Sequence, residues 1–245
     1  MSFLTGLFAF LFYFATLSLV SGMIYKLVQY SLTPVRLKAP TTPAPTTHGS
    51  LLLRMIREFV FFESGFWGNK GTWIFGWLLH IGLLLVFIRH LRYFLDPVPT
   101  FIQSMQPFGV YGGFAMLFGL AGRWARRLWV DRIRYCSTPS DHMLLGLLLM
   151  IVTSGLLMTF HIHTDIVSVK TFFIGLYSFD PTPLPTDPIL LLHLTLAAVL
   201  MIVFPYSKLI HGLGFFFSPT RNQVDNARER SSLVTRVPWS KHHSR

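Results

Sequence analysis

The stretch that decides the fold is TWIFGWLLHIGLLLVFIRHLRYFL, residues 72–95. It is apolar, and it exceeds the roughly 20 residues that a helix needs to cross a bilayer. His80 and His90 stand ten residues apart inside it. A second apolar stretch, Ile189–Phe217, carries His193 and His211 eighteen residues apart. Because histidine is costly in hydrocarbon, four histidines in two spans indicate a functional site inside a membrane.

The composition of the whole chain agrees with residence in a membrane. Of its 245 residues, 52% are hydrophobic and 13% are charged, which is too apolar for a soluble domain of this size. We therefore expect an all-α membrane protein with five transmembrane helices. The predicted spans are Phe3–Leu27, Thr72–Leu95, Phe101–Trp124, His142–His163 and Pro188–Ile210. The third span is the weakest, because it contains Gln103, Gln106 and Pro107.

Basic residues are distributed unevenly between the two faces that five spans define. The loops after the first and third spans and the C-terminal tail, counted with the adjoining ends of the spans, together hold 18 Lys and Arg residues, whereas the opposite face holds three. Because basic loops stay in the cytoplasm, we expect an external N-terminus and a cytoplasmic C-terminus, in the inner (cytoplasmic) cell membrane. The same rule accounts for the net charge of +11, so that charge does not indicate nucleic-acid binding.

The predicted domain organisation is one membrane domain, residues 1–217, followed by a basic cytoplasmic tail, residues 218–245. Residues 33–70 lie within the membrane domain as a cytoplasmic insertion. Its first part, Thr33–Thr47, has five threonines and four prolines and is typical of an extended linker. Its second part, Leu51–Phe62, has the pattern of an amphipathic helix, which would lie at the membrane interface, dock a partner or pack on the bundle.

The histidine spacing fits two stacked haem sites. In continuous helices, His80 and His90 differ in height by about 15 Å, and His193 and His211 by about 27 Å after five whole turns. Spans two and five run in opposite directions, so His80 pairs with His211 toward the cytoplasm and His90 with His193 toward the outside. We expect these four residues to be the axial iron ligands of two haems b, with irons about 21 Å apart.

Two other interpretations of the histidines stay open at this point. An intramembrane histidine can simply bond to a neighbouring helix, and a haem-free membrane anchor would be built this way. Histidines also serve proton relays, which would make the chain a transport or ion-conducting subunit without haem. The spans contain almost no Asp or Glu, which disfavours transport. With one cysteine, Cys136, the chain alone cannot hold an iron–sulfur cluster.

Two motifs resemble those of a known family. Leu79-His80-Ile81-Gly82, continuing to His90, resembles the second helix of the gamma subunit of respiratory nitrate reductase. Phe204-Pro205-Tyr206-Ser207-Lys208-Leu209-Ile210-His211 resembles the last helix of that family. The resemblance covers residues 1–217 and implies a di-haem b quinol dehydrogenase. It also implies an iron–sulfur partner subunit on the cytoplasmic side and further subunits of a complex.

The chain departs from nitrate reductase in its longer first loop and in the run Arg92-Tyr93-Phe94-Leu95-Asp96-Pro97-Val98-Pro99. These features are more similar to subunit M of the Dsr complex, which is associated with sulfite reduction, and to the membrane subunit of heterodisulfide reductase. This similarity implies a heterodisulfide-reductase-like partner and a role in sulfur metabolism. A nitrate reductase gamma subunit is the alternative.

The activity implied by the resemblance is that of the quinol-oxidising subunit of an oxidoreductase complex. Such a subunit is surrounded by membrane lipid and passes electrons to the partner on the cytoplasmic side. The outer haem is the expected neighbour of the quinol or quinone. Polar residues at the ends of the spans near the outer haem make up the predicted quinone pocket, namely Arg92, Asp96, Gln106, His161 and His163. Two polar anchors in an apolar pocket suit a quinone headgroup. No catalytic residue is assigned.

Overall fold

The computed structural model describes residues 2–33 and 47–218 and the single residues 45 and 224, and within these ranges the secondary structure is helical. The helices are α1 (Phe3–Leu32), α2 (His48–Phe61), α3 (Glu63–Gly68), α4 (Lys70–His90), α5 (Thr100–Ser104), α6 (Gln106–Trp129), α7 (Asp131–Tyr135), α8 (Pro139–Leu157), α9 (Ile166–Tyr177), α10 (Pro188–Val203) and α11 (His211–Phe216). A π-helical turn, Met158–Ile162, extends α8, and 3₁₀ turns follow α4 and α10. The prediction of an all-α protein is confirmed for this part of the chain.

The chain forms two compact units. The first comprises Met1–Ile24 and Ser64–Ser207, and the second comprises Tyr25–Glu63 and Lys208–Arg245. The predicted linker lies outside the described residues except for positions 33, 45 and 47, and the predicted tail lies outside them except for positions 218 and 224.

Four helices in the described ranges are long and apolar enough to cross a membrane. These segments are Phe3–Leu32, Lys70–Tyr93, Pro139–Ile162 and Pro188–Tyr206. The predicted third span corresponds to α5 and α6 instead of one helix. With 24 residues α6 is long enough, but Gln106 at its start and Arg123, Arg126 and Arg127 near its end lower its hydropathy.

Glycines hold α4 and α6 in close antiparallel contact within the first unit. A Cβ atom on Gly82 would lie 2.5 Å from the backbone nitrogen of Met116, and one on Gly119 would lie 2.6 Å from that of Leu79. Both glycines therefore face backbone, where small residues allow apolar helices to approach. The guanidinium of Arg89 reinforces this pair by donating to the carbonyl oxygen of Gln106 (2.7 Å).

The segment predicted as the outer loop contains a helix that was not predicted from the sequence, α9. Its N-cap is Asp165, whose carboxylate accepts from the backbone N–H groups of Val167 and Ser168. The hydroxyl of Ser168, followed by these two amides, lowers the pKa of Asp165. The Asp-x-x-Ser pattern before an apolar run was the available signal.

The main hydrophobic cluster of the first unit joins α9 to the start of α1 and to α10. Phe172 is fully buried and Phe12 meets Phe173 edge to face. Two polar contacts complete the packing, since Thr5 Oγ1 accepts from the backbone of Leu184 and Tyr13 donates to the carbonyl of Leu176. The segment between α9 and α10 is therefore packed against the start of α1.

In the second unit, α2 begins at a reciprocal cap. Thr47 accepts from the backbone N–H of Ser50, and the Ser50 hydroxyl accepts from that of Thr47. Aromatic side chains connect the unit's segments, because Phe59 of α2 packs on Phe215 and Phe216 of α11.

Candidate functional site

His80 and His90 both lie on the continuous helix α4, each held in the same way. Nδ1 of His80 donates to the carbonyl oxygen of Gly76, and Nδ1 of His90 donates to that of Val86, both at 2.7 Å. An imidazole whose Nδ1 carries the proton presents the lone pair of Nε2 to a metal. The helix thus fixes the tautomer of both rings through its own backbone.

His193 on α10 stands opposite His90. The two ring centroids lie 6.3 Å apart and the ring planes differ by 16°. Nδ1 of His193 is bonded to the hydroxyl of Ser154 on α8 (2.9 Å), a contact between helices. The structure therefore brings together one of the two predicted histidine pairs from helices far apart in the sequence.

The arrangement of His90 and His193 fits bis-histidine haem ligation. With metal–nitrogen bonds of about 2 Å and an imidazole radius of about 1.2 Å, the centroids of two trans imidazoles lie about 6 Å apart. The Nδ1 atoms are engaged elsewhere, so Nε2 is the nitrogen that each ring offers to an iron. No group of three or more metal-ligating side chains occurs among the described residues. Two protein ligands suffice for haem, because the porphyrin supplies the other four.

His211 is placed differently from the sequence prediction. The prediction of one unbroken helix carrying His193 and His211 on the same face is wrong. Helix α10 ends at Val203, a 3₁₀ turn contains Pro205, and Ser207 has extended backbone angles before a second short turn. Proline lacks the N–H that would continue the helical ladder, so the chain breaks here and five regular turns do not connect the histidines.

His211 opens the short helix α11, and its Nδ1 donates to the carbonyl of Lys208 at 3.0 Å. It belongs to the second unit, whereas His80 belongs to the first. Within its own unit, each ring therefore has Nδ1 bonded to a backbone carbonyl.

Two residues of the predicted quinone pocket carry buried polar atoms that have no hydrogen-bond partner in the described structure. They are Nε of Arg92 and Oε1 of Gln106. Arg92 follows α4, where its guanidinium also donates to the hydroxyl of Tyr93 (2.9 Å). Gln106 begins α6, and the Arg89 bond ties it to the end of α4. Both residues therefore lie at the same end of the first unit.

The remaining three predicted pocket residues are exposed. Asp96 forms an ion pair with Lys170 of α9 at 2.8 Å. His161 lies in the π-helical turn after α8, and His163 has a left-handed backbone conformation directly after it. Because α8 runs antiparallel to α6, with Phe160 against Phe114, these histidines lie toward the start of α6.

One cavity of the first unit lies away from these residues. It is a groove of about 420 Å³ between α1 and α10. Its lining is apolar and comprises Leu19, Val20, Met23, Ile24, Leu200, Met201 and Phe204. None of these residues belongs to the predicted pocket.

Two residues that were not predicted from the sequence, Ser154 and Gly155, both contact His193. Ser154 is buried, and a Cβ atom on Gly155 would lie 3.3 Å from Cε1 of the ring. The available signal was a polar residue next to a glycine within an apolar span, which is a common device for contact between membrane helices.

The fold and the histidine pair define the class as an all-helical, multi-pass membrane protein with histidines facing each other from two apolar helices. A family model described as nitrate reductase gamma subunit matches residues 64–222. The chain belongs to the nitrate reductase gamma subunit family.

Relatives from archaea refine this placement. The chain is 35% identical to the "Hdr-like menaquinol oxidoreductase cytochrome b-like subunit" of Archaeoglobus fulgidus, with 93% of this chain and 81% of the relative covered. It is 32% identical to the protein of the same name from Archaeoglobus profundus, with 86% and 77% covered. A subunit of the dihydromethanophenazine:CoB–CoM heterodisulfide reductase of Methanosarcina thermophila is 25% identical, with 71% and 67% covered.

These comparisons confirm the family-level resemblance and a role as a membrane subunit of an oxidoreductase complex. A cytochrome b-like family implies haem b as the cofactor. The likeness to heterodisulfide-reductase-type subunits agrees with the departures from nitrate reductase in the sequence.

Proposed function

We propose that this chain is the membrane cytochrome b subunit of a complex that exchanges electrons between menaquinol, or a related quinol, and a cytoplasmic iron–sulfur subunit. The facing rings of His90 and His193, 6.3 Å apart with nearly parallel planes, carry the proposal. The names of the two Archaeoglobus relatives support menaquinol as the donor. Bound haem b would supply one-electron redox chemistry, which the side chains of this protein do not provide.

We assign one haem b to His90 and His193 and a second to His80 and His211. The second assignment is supported by the Nδ1–carbonyl bonds of both rings, which orient a ligating histidine in the same way as in His90. Because the helix is interrupted before His211, the spacing of His193 and His211 no longer gives the height of His211 in the membrane. The assignment of His80 and His211 therefore rests more on the family resemblance of the motif around His211.

The proposed quinol pocket lies beside the His90/His193 site. The unpartnered Nε of Arg92 is a donor, and the unpartnered Oε1 of Gln106 is an acceptor, which complement a quinol hydroxyl. The exposed Asp96, whose carboxylate pairs with the partly buried Lys170, and the exposed His161 and His163 are groups that would receive the protons released when quinol is oxidised.

The proposed topology has five spans, with α6 as the third, an external N-terminus and a cytoplasmic C-terminus in the inner cell membrane. Support comes from the distribution of the 21 Lys and Arg residues and from the length of α6. In this orientation residues 1–217 form the membrane domain, and residues 218–245 form a basic cytoplasmic tail.

The proposed partner is an iron–sulfur subunit of the heterodisulfide-reductase type. The likeness to a heterodisulfide reductase subunit supports it, and so do the basic loops on the proposed cytoplasmic face. Among complexes of this type we propose a Dsr-like assembly linked to sulfur metabolism, because of the long first loop and the run Arg92–Pro99.

The test is a haem assay on the purified full chain followed by reduction with a menaquinol analogue. We expect a b-type α band in the reduced-minus-oxidised spectrum, two haems per chain by pyridine haemochrome, and reduction of both by the quinol. A protein without haem b would overturn the proposal and favour a haem-free anchor or transport subunit. Haem that dithionite reduces and the quinol does not would overturn the quinol assignment alone.

A further inference from the structure

Ser154 and Gly155 of α8 both contact one edge of the His193 ring. The hydroxyl of Ser154 lies 2.9 Å from Nδ1, and the missing side chain of Gly155 leaves room for Cε1. Ser154 is only 4% exposed although it lies in an apolar segment. A buried hydroxyl in such a place needs partners, and His193 is one of them.

The direction of this hydrogen bond follows from the single proton of the hydroxyl. Ser154 Oγ lies 2.8 Å from the carbonyl oxygen of Met150 and 3.0 Å from that of Ile151, and a carbonyl can only accept. The serine proton is therefore used within α8, and the serine oxygen accepts from Nδ1–H of His193. This contact selects the tautomer that leaves Nε2 for a metal.

His193 differs in this respect from the other three proposed ligands. His80, His90 and His211 each use a backbone carbonyl three or four residues earlier in the chain, which substitution cannot remove. The partner of His193 is a side chain on another helix. The orientation of this ring therefore depends on how α8 packs against α10.

We propose that Ser154 is a positioning residue that orients His193 and lowers the reduction potential of the haem held by His90 and His193. The inference rests on the proposed function. An acceptor at Nδ1 makes the imidazole a stronger donor to the metal, which favours the ferric state, and hydrogen bonding around ligands is a recognised control of potential.

The carbonyl of Ile151, which accepts from the same Ser154 hydroxyl at 3.0 Å, is the competing acceptor for Nδ1–H of His193 and the alternative explanation for the orientation of the ring. Substitution of Ser154 distinguishes the effect of its hydroxyl oxygen from that of the Ile151 carbonyl oxygen. In Ser154→Ala the Ile151 carbonyl stays in place and the hydroxyl is lost, and in Ser154→Thr both are kept.

The experiment is redox potentiometry of the full chain with both haems bound, read from optical spectra and from the low-spin electron paramagnetic resonance signals. For Ser154→Ala we expect an upward shift of one midpoint potential by about 59 mV, which corresponds to a tenfold change for one electron. The shifted component should be the haem that His90→Ala removes. Ser154→Thr should return the potential to the wild-type value.

The matched control is Thr195→Ala. Thr195 lies two residues from His193, and its exposed hydroxyl donates to the carbonyl of Leu191 in the same manner. This variant should leave both potentials unchanged, which separates the His193 contact from a general effect of losing a helical hydroxyl. Gly155→Ala is a second probe, because its methyl group would press on Cε1 and change the resonance signal of the same haem with the hydroxyl present.

An unchanged potential in Ser154→Ala would overturn the inference and assign the orientation of the ring to Ile151. A shift confined to the haem that survives His90→Ala would also overturn it. Both results leave the proposed function intact, since two haems are still bound and reduced. Wild-type protein without haem b would end both proposals together.

Discussion

At the scale of single residues, the ligand pairs are the most direct target. If His90 and His193 hold one of two haems as proposed, His90→Ala or His193→Ala should each remove that same haem and halve the haem content, because either change would leave its iron with one protein ligand. Pyridine haemochrome and the low-temperature α band measure this. His142→Ala is the control, since that ring accepts from Trp124 at the other end of α8. Loss of spectrally different haems in the two variants would contradict the pairing.

The polar atoms without partners at Arg92 and Gln106 lead to a prediction about quinol binding. Arg92→Ala and Gln106→Leu should each slow haem reduction by a menaquinol analogue roughly tenfold or more, since a hydrogen bond to a charged or buried group contributes about 1–3 kcal/mol. Both haems should stay bound. Stopped-flow measurement of haem reduction gives the rate.

Gln103→Leu is the matched control for Gln106→Leu, because Gln103 is exposed on α5 and bonds only locally, to the carbonyl of Val98. Rates that stay at the wild-type value in both Arg92 and Gln106 variants would place the quinol elsewhere. The apolar groove between α1 and α10 would then be the next region to probe.

At the scale of elements, the contact between α4 and α6 depends on glycine. Gly82→Ala should destabilise the protein by about 1–3 kcal/mol, because the added methyl group meets the backbone of α6 and one helix must move. This loss should exceed the gain of about 1 kcal/mol that alanine brings to a helix. Unfolding by increasing denaturing detergent, followed by circular dichroism, measures the change.

Gly146→Ala in α8 is the control for this prediction. The nearest atom to its added Cβ would be Cη2 of Trp124 at 3.7 Å, an ordinary contact, so the substitution should be neutral or mildly stabilising. Equal stability of the Gly82 and Gly146 variants would show that α4 and α6 adjust without cost.

At the scale of the whole molecule, topology determines which of the two proposed haem sites is the outer one. With α6 as a span, reporter fusions at Arg245 and within residues 164–188 should report opposite compartments, the first cytoplasmic and the second external. A cytoplasmic reporter active at both positions would indicate an even number of crossings between them. A reporter at Arg245 that is active outside the cell would exchange the inner and outer assignments of the haems.

The sequence by itself determined that the chain is a helical membrane protein and which family it belongs to. Hydropathy and length act locally, so apolar segments are recognisable without any tertiary contact. The residues of the proposed haem sites were also visible, because histidine is rare in such segments. Helix α9 was missed, since its twelve residues are too few for a span and its buried face depends on α1 and α10.

Only the tertiary structure decided which side chains meet. Ser154 and His193 are 39 positions apart, and His90 and His193 come from helices that are well separated in the chain. The break at Pro205 likewise changed the path toward His211. Periodicity along a helix describes the direction of a side chain relative to that helix alone. The meeting of His193 with Ser154 and His90 depends on how α10 packs against its neighbours, and that packing arises from contacts between distant parts of the chain.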